Sequence, residues 1–153
     1  MSITAAGFYG LTLEKFLNVT SLPASGFESE TAVKVLMVLD AETPDFNADN
    51  FRDDVTANEV SGTGYSAGGV VITSTELTIS GGVLTYDAAD AAWASSTIAN
   101  AMAGVGYFAR GGADTADELL WLSDFVTAAS SSGGTFTINW AAAGIWTVDF
   151  TPP

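Results

Sequence analysis

The sequence predicts an all-β protein, a β-sandwich or barrel of roughly seven short strands with one short helix. Three observations carry this expectation. Phe136, Ile138 and Trp140 alternate with Thr137 and Asn139, and Trp146, Val148 and Phe150 alternate with Thr147 and Asp149. That is the period of a strand with one buried face. Gly81-Gly82 separates two runs rich in Val, Ile, Leu and Thr, the pattern of a tight hairpin. Clusters of Gly and Ser punctuate the rest of the chain at short spacing.

Taken in order, residues 1–28 form an N-terminal segment distinct from a single β-rich domain over residues 29–153. Within it, residues 12–18 are the one helix expected, because Leu13, Phe16 and Leu17 share a helical face. Gly7, Gly10, Pro23 and Gly26 make the segment a poor central strand. Its apolar residues Phe8, Tyr9, Leu11, Leu13, Phe16 and Leu17 mark a candidate contact arm. The competing reading is that the segment caps one end of the domain.

Residues 29–40 hold a near-continuous apolar run. Val33, Val35, Met37 and Leu39 fall on one face and Leu36 and Val38 on the other, so both faces are expected to be covered. Residues 41–69 are polar and acidic and read as a long loop, with one helical turn near residues 50–55. Strands are expected over residues 70–80 and 83–87. Residues 87–95 read as a loop, with Trp93 plugging the core. Residues 96–110 read as one strand or two despite their Ala content, because Gly104, Gly106, Tyr107 and Phe108 argue against a helix. A further strand is expected over residues 119–125, and a Ser/Gly turn over residues 130–134.

Composition bounds the function. The chain of 153 residues fits one domain, and its hydrophobic fraction of 48% argues against disorder. No apolar run reaches the roughly 18 residues of a membrane span, and residues 1–10 lack the pattern of an export signal. Four basic residues stand against 18 acidic ones, for a formal net charge of -14. Nucleic-acid binding needs cations to neutralise phosphates, so no nucleic-acid partner is expected, and the same argument disfavours an anionic membrane. The charge instead favours solubility.

The missing residue types narrow the chemistry. Without His or Cys there is no imidazole base, no thiol nucleophile and no disulfide. Zinc catalysis is correspondingly disfavoured. Carboxylates and oxygen-ligated metals remain. Asp45, Asn47 and Asp49 alternate as in a calcium loop, but Asn50 and Thr56 stand where an EF-hand needs Gly and Glu. A looser calcium site at Asp45, Asn47 and Asp49 competes with a solvated loop in which Asp and Asn cap turns. No other cofactor is expected. A glycosidase would need two carboxyl groups across a sugar cleft, and most of the Trp residues stand in core-like contexts.

The segment from Phe51 to Gly69, FRDDVTANEVSGTGYSAGG, is the most distinctive stretch. Its glycines permit repeated turns, and Tyr65 is suited to anchor it by its ring while its hydroxyl stays wet. No Lys or helix follows it, so phosphate binding is disfavoured. This loop follows the strand AVKVLMVLD and precedes VVITSTELTIS, YDAADAAWASSTI and GYFARGG. The order resembles small virion-associated proteins of tailed bacteriophages, in which an apolar strand, a D-V-x-x-N-E-V-S-G-T-G-Y-x-A-G-G loop and a D-A-x-D-x-x-W-A segment recur together. Eleven consecutive residues, 59–69, fit in place, and the likeness spans about residues 30–110. It departs at residues 99–103, which are Ala-rich here.

The resemblance implies a structural, non-enzymatic role in the virion, with synthesis in the bacterial host cytoplasm. Two functions are expected from it. One is a capsid decoration or cement protein on the phage head, bound to the major capsid protein or other virion proteins as a homo-oligomer or symmetric array. The other is a head-fibre or tail-associated module that binds a host glycan or receptor.

Overall fold

The structure is a computed structural model and describes Ile3, residues 7–9 and residues 33–150. Its strands are β1 (Gly7–Phe8), β2 (Val33–Leu39), β3 (Gly62–Thr63), β4 (Val70–Val71), β5 (Glu76–Ser80), β6 (Val83–Asp87), β7 (Ala91–Phe108), β8 (Leu119–Ile138) and β9 (Trp146–Asp149). They form two antiparallel sheets. A six-stranded sheet runs β1-β8-β7-β2-β4, with β3 paired to β7, and a three-stranded sheet runs β5-β6-β9. The all-β expectation holds. The helical elements among the described residues are 3-10 turns at Arg52–Asp54, Thr56–Asn58 and Asp114–Ala116. The first falls inside the expected turn at residues 50–55. The helix expected over residues 12–18 lies outside the described residues. No described helix is long and apolar enough to cross a membrane.

β2 shows why its apolar run is nearly unbroken. Val33, Val35 and Met37 enter one core, and Leu36 and Val38 enter a second core on the opposite face. The first core lies beneath the small sheet and holds Tyr86, Trp93, Trp121, Phe136 and Ile138. The second is closed by Ile3, Tyr9 and Val55, with Phe46 packed against it. A strand between two layers has no polar face to show, hence the run.

The long strands correct the expectation of short ones. Residues 91–95 belong to β7 rather than to a loop, with Trp93 buried as expected. Residues 130–134 are not a turn but part of β8, where Ser131, Ser132 and Gly134 lie opposite Ile98, Thr97 and Ser96. Side chains repair the ladder at its irregular points. Ser131 Oγ accepts the Ile98 N–H at 3.2 Å, Ser130 Oγ accepts the Asn100 N–H at 3.0 Å, and Thr97 Oγ1 accepts the Gly133 N–H at 3.1 Å. The hydroxyls that suggested a turn instead satisfy main-chain donors that bulges would orphan.

The Ala- and Gly-rich centre of β7 makes room for large neighbours. A β-carbon on Gly104 would meet Ile138 at 3.1 Å, and one on Gly106 would meet the Trp121 ring at 2.4 Å. The hairpin forms as expected. Ser80 pairs with Val83, and Gly81 and Gly82 adopt φ of 59° and 84°, the left-handed pair of a tight two-residue turn.

Candidate interaction surface

The loop at residues 59–69 is held by its own side chains. Tyr65 Oη donates to Glu59 Oε1 at 2.6 Å and accepts the Met37 N–H at 3.1 Å. Glu59 Oε1 also accepts the Gly68 N–H at 2.7 Å, and Tyr107 Oη donates to the Gly68 carbonyl at 2.6 Å. The Tyr65 ring stacks on Trp93, with centroids 5.9 Å apart. The ring anchors the loop as expected, but its hydroxyl is engaged rather than wet. The loop thus covers part of the β2 edge, where Val60 N–H donates to the Met37 carbonyl at 2.9 Å. Covering an edge removes a template for unwanted pairing. Gly69 sits so close to β2 that a β-carbon would stand 1.8 Å from the Val35 carbonyl oxygen.

The acidic run is spent on turns. Asp45 Oδ1 accepts the N–H groups of Asn47 and Ala48 at 2.9 and 3.1 Å, and Asp49 Oδ2 accepts that of Asp45 at 2.7 Å. Asp54 Oδ2 accepts from Asn50 and Phe51 at 2.8 and 2.9 Å. The structure therefore brings Asp45 and Asp49 together through a backbone amide, while Asn47 is exposed. Among the described residues no three His, Cys, Asp or Glu side chains stand at metal-binding spacing. Burial pushes Asp49 above the usual carboxylate range, against the hydrogen bond from the Asp45 amide, and the negative charges of Asp54 and Asp45 add to the rise. Burial does the same to Glu42, against a hydrogen bond from Asn58 Nδ2 at 2.9 Å.

The N-terminal residues divide. Phe8 lies in β1 with its backbone opposite Trp121. Tyr9 departs from the expectation of a contact arm, because it is fully buried against Phe46 at 5.1 Å between ring centroids. Its N–H donates to the Leu120 carbonyl at 3.1 Å, so this stretch is stitched to the sheet as an edge. Leu11, Leu13, Phe16 and Leu17 lie outside the described residues.

The uncovered apolar surface lies elsewhere. Across β5, β6 and β9, Leu77, Tyr86 and Trp146 face each other in register, and so do Ile79, Leu84 and Val148. Residues two apart on a strand share a face, so both rows belong to the core side of the small sheet. The first row packs on the first core, with Tyr86 completely buried. The second row runs past it. Ile79 is 67% exposed, Val148 38%, and Phe150 just beyond β9 is 62% exposed.

Beside this strip, a groove of about 400 Å³ opens between β8 and β9. Trp121, Leu122, Asp124, Ile145, Trp146 and Val148 are among its lining residues. Val148 belongs to both groove and strip, so they form one continuous surface. Alternation at residues 146–150 was the signal for this face. Nothing local says that half of it would be left open.

The described cations stand apart from the strip. Arg52 Nε donates to Asp117 Oδ2 at 3.0 Å, and its other arm pairs with Asp114. Arg110 grips Glu118 with two bonds of 2.6 and 2.7 Å. Lys34 lies on β2. Asp124 lines the groove, whereas Glu76 and Asp87, opposite each other on β5 and β6, alternate to the other face of the small sheet.

Comparison with models of known protein families, with curated proteins and with solved structures finds no match to this chain.

Proposed function

We propose that this chain is a non-enzymatic structural protein of a tailed-bacteriophage virion, a decoration or cement protein of the phage head that docks on the major capsid protein. One observation carries the reading: the core-side face of the small sheet runs off the body and exposes Ile79, Val148 and Phe150. A contiguous exposed apolar strip is a docking surface by default. The likeness of residues 59–69 to virion-associated proteins points the same way, and so does the stapled construction of that loop, which serves the fold. A net charge of -14 would keep decorated particles from adhering to one another. Weak docking suffices if many copies engage a symmetric lattice. The proposal includes no cofactor.

A second reading has its own observation. The groove sets Trp146 beside Asp124, a ring and a carboxylate of the kind that hold a sugar, which favours a head-fibre or tail module that binds a host glycan. Electron microscopy of particles carrying a labelled copy tests both. Regular density over the head supports decoration, density on a fibre or the tail favours the glycan reading, and absence from the particle overturns the proposal. The variant combining Ile79→Ser, Val148→Ser and Phe150→Ser should fold and yet fail to incorporate.

A further inference from the structure

We infer that two copies of this chain pair through the groove between β8 and β9, each inserting its Val126 into the groove of the other. The inference goes beyond the docking reading and does not depend on it. It starts from the backbone of β8. Ala103 pairs with Asp124 and Ala101 with Ala129, so residues 125–128 bulge out opposite the single Met102. A bulge re-aims a side chain. This one holds Val126 at φ of 65° and leaves it 79% exposed, the most exposed large apolar side chain among the described residues. A β-branched residue both strained and uncovered gains nothing within one molecule, and strain of this kind collects at functional contacts.

The knob stands at the rim of a hole. Asp124 Oδ1 accepts the Val126 N–H at 2.7 Å, and Asp124 lines the groove of about 400 Å³ whose large apolar lining residues are Trp121, Leu122, Ile145, Trp146 and Val148. Knob and hole on one surface are self-complementary, because a two-fold axis through the rim fills both grooves at once. A different partner would have to bring its own knob and its own hole, whereas a second copy has both. Charge permits the approach. Residues 125–148 hold no Asp, Glu, Lys or Arg, in a chain with 18 acidic and four basic residues. Asp124 is the one charged residue lining the groove, and its carboxylate is already turned to the Val126 amide. Copies that each carry a net charge of -14 repel at a distance, but this stretch puts little charge at the contact itself. Ile79 and Phe150 do not line the groove, so pairing leaves them to the partner proposed above.

Sedimentation equilibrium of the full chain over a range of concentrations, at low and high salt, tests the pairing. The expected result is a monomer–dimer equilibrium that salt tightens, because screening removes the repulsion and leaves an apolar contact. Val126→Gly should weaken the dimer about a hundredfold, since each pair loses two buried valines. The same substitution should raise the unfolding midpoint at dilutions where the chain is a single molecule, so a weaker dimer cannot be blamed on a damaged fold. Val148→Asp should also weaken the pair, by placing a charge in each groove. Mixing the two variants should restore association about tenfold over either alone, because an intact Val126 then meets an intact groove once per pair. A chain that stays monomeric at every concentration and salt overturns the inference. So does a dimer that Val126→Gly leaves intact, a dimer that salt dissolves, or a mixture no better than its components. Particle incorporation of an Ile79→Ser, Phe150→Ser variant decides the docking reading separately.

Discussion

The Trp121 indole lies against the backbone of Gly106, its register partner across β7 and β8, so closely that a β-carbon at 106 would stand 2.4 Å from the ring. Trp121 is almost fully buried, and Tyr86 of the small sheet packs on it at 5.6 Å. One glycine thus sets the depth at which the two sheets meet. Gly106→Ala should overpack this junction and cost about 3 kcal/mol. Urea unfolding measures it, and an unchanged midpoint would show that the ring has somewhere else to go.

Tyr65→Phe removes one hydroxyl that serves two partners. The Met37 N–H loses its acceptor, and Glu59 loses the 2.6 Å bond it receives. Met37 is fully buried, so its amide has no easy route to water. The expected loss is about 2 kcal/mol, the scale of a stranded buried donor. Chemical denaturation of the two proteins side by side measures it. A loss no larger than that of an exposed substitution would mean that the loop stands without this bond.

Glu42 carries a pH dependence. Its carboxyl is raised above the ordinary value of 4.5 by burial, so the folded protein holds its proton more tightly than the unfolded chain. Stability from this group is therefore present at low pH and is lost as pH rises from the unfolded value through the folded one. Glu42→Gln keeps an acceptor for Asn58 and removes the buried charge. The variant should melt higher than wild type at pH 7, and the gap should close as pH falls towards 4. A gap that widens on acidification would reverse the assigned direction.

Val126 sits in β8 at φ of 65° and is 79% exposed, an unfavourable backbone for a β-branched residue with no burial in return. Val126→Gly should relieve the strain and raise stability by about 1 kcal/mol, read from the thermal midpoint. A destabilised variant would mean that the valine makes a contact worth more than the strain.

Much of the fold is legible in residue order because its causes are local. The unbroken apolar run of β2 announces a strand covered on both faces, Gly81-Gly82 announces the hairpin, and the alternation after Phe136 and Trp146 marks two faces. The β7–β8 ribbon is not legible in the same way. Ser130, Ser131 and Gly133 look like a turn until Thr97, Ile98 and Asn100 arrive from thirty or more positions away to bond them. Pairing between strands is decided by partners that local propensity cannot see.

The interaction surface divides along the same line. Apolar residues in the N-terminal segment drew attention as contacts, yet Tyr9 serves the chain's own core. By itself the sequence determined which residues share a face, because side chains on a strand alternate whatever surrounds them. It placed Trp146, Val148 and Phe150 together. Only the tertiary structure decided that a second layer covers Trp146 and stops short of Val148 and Phe150, because the extent of a layer is set by how far the opposing sheet reaches.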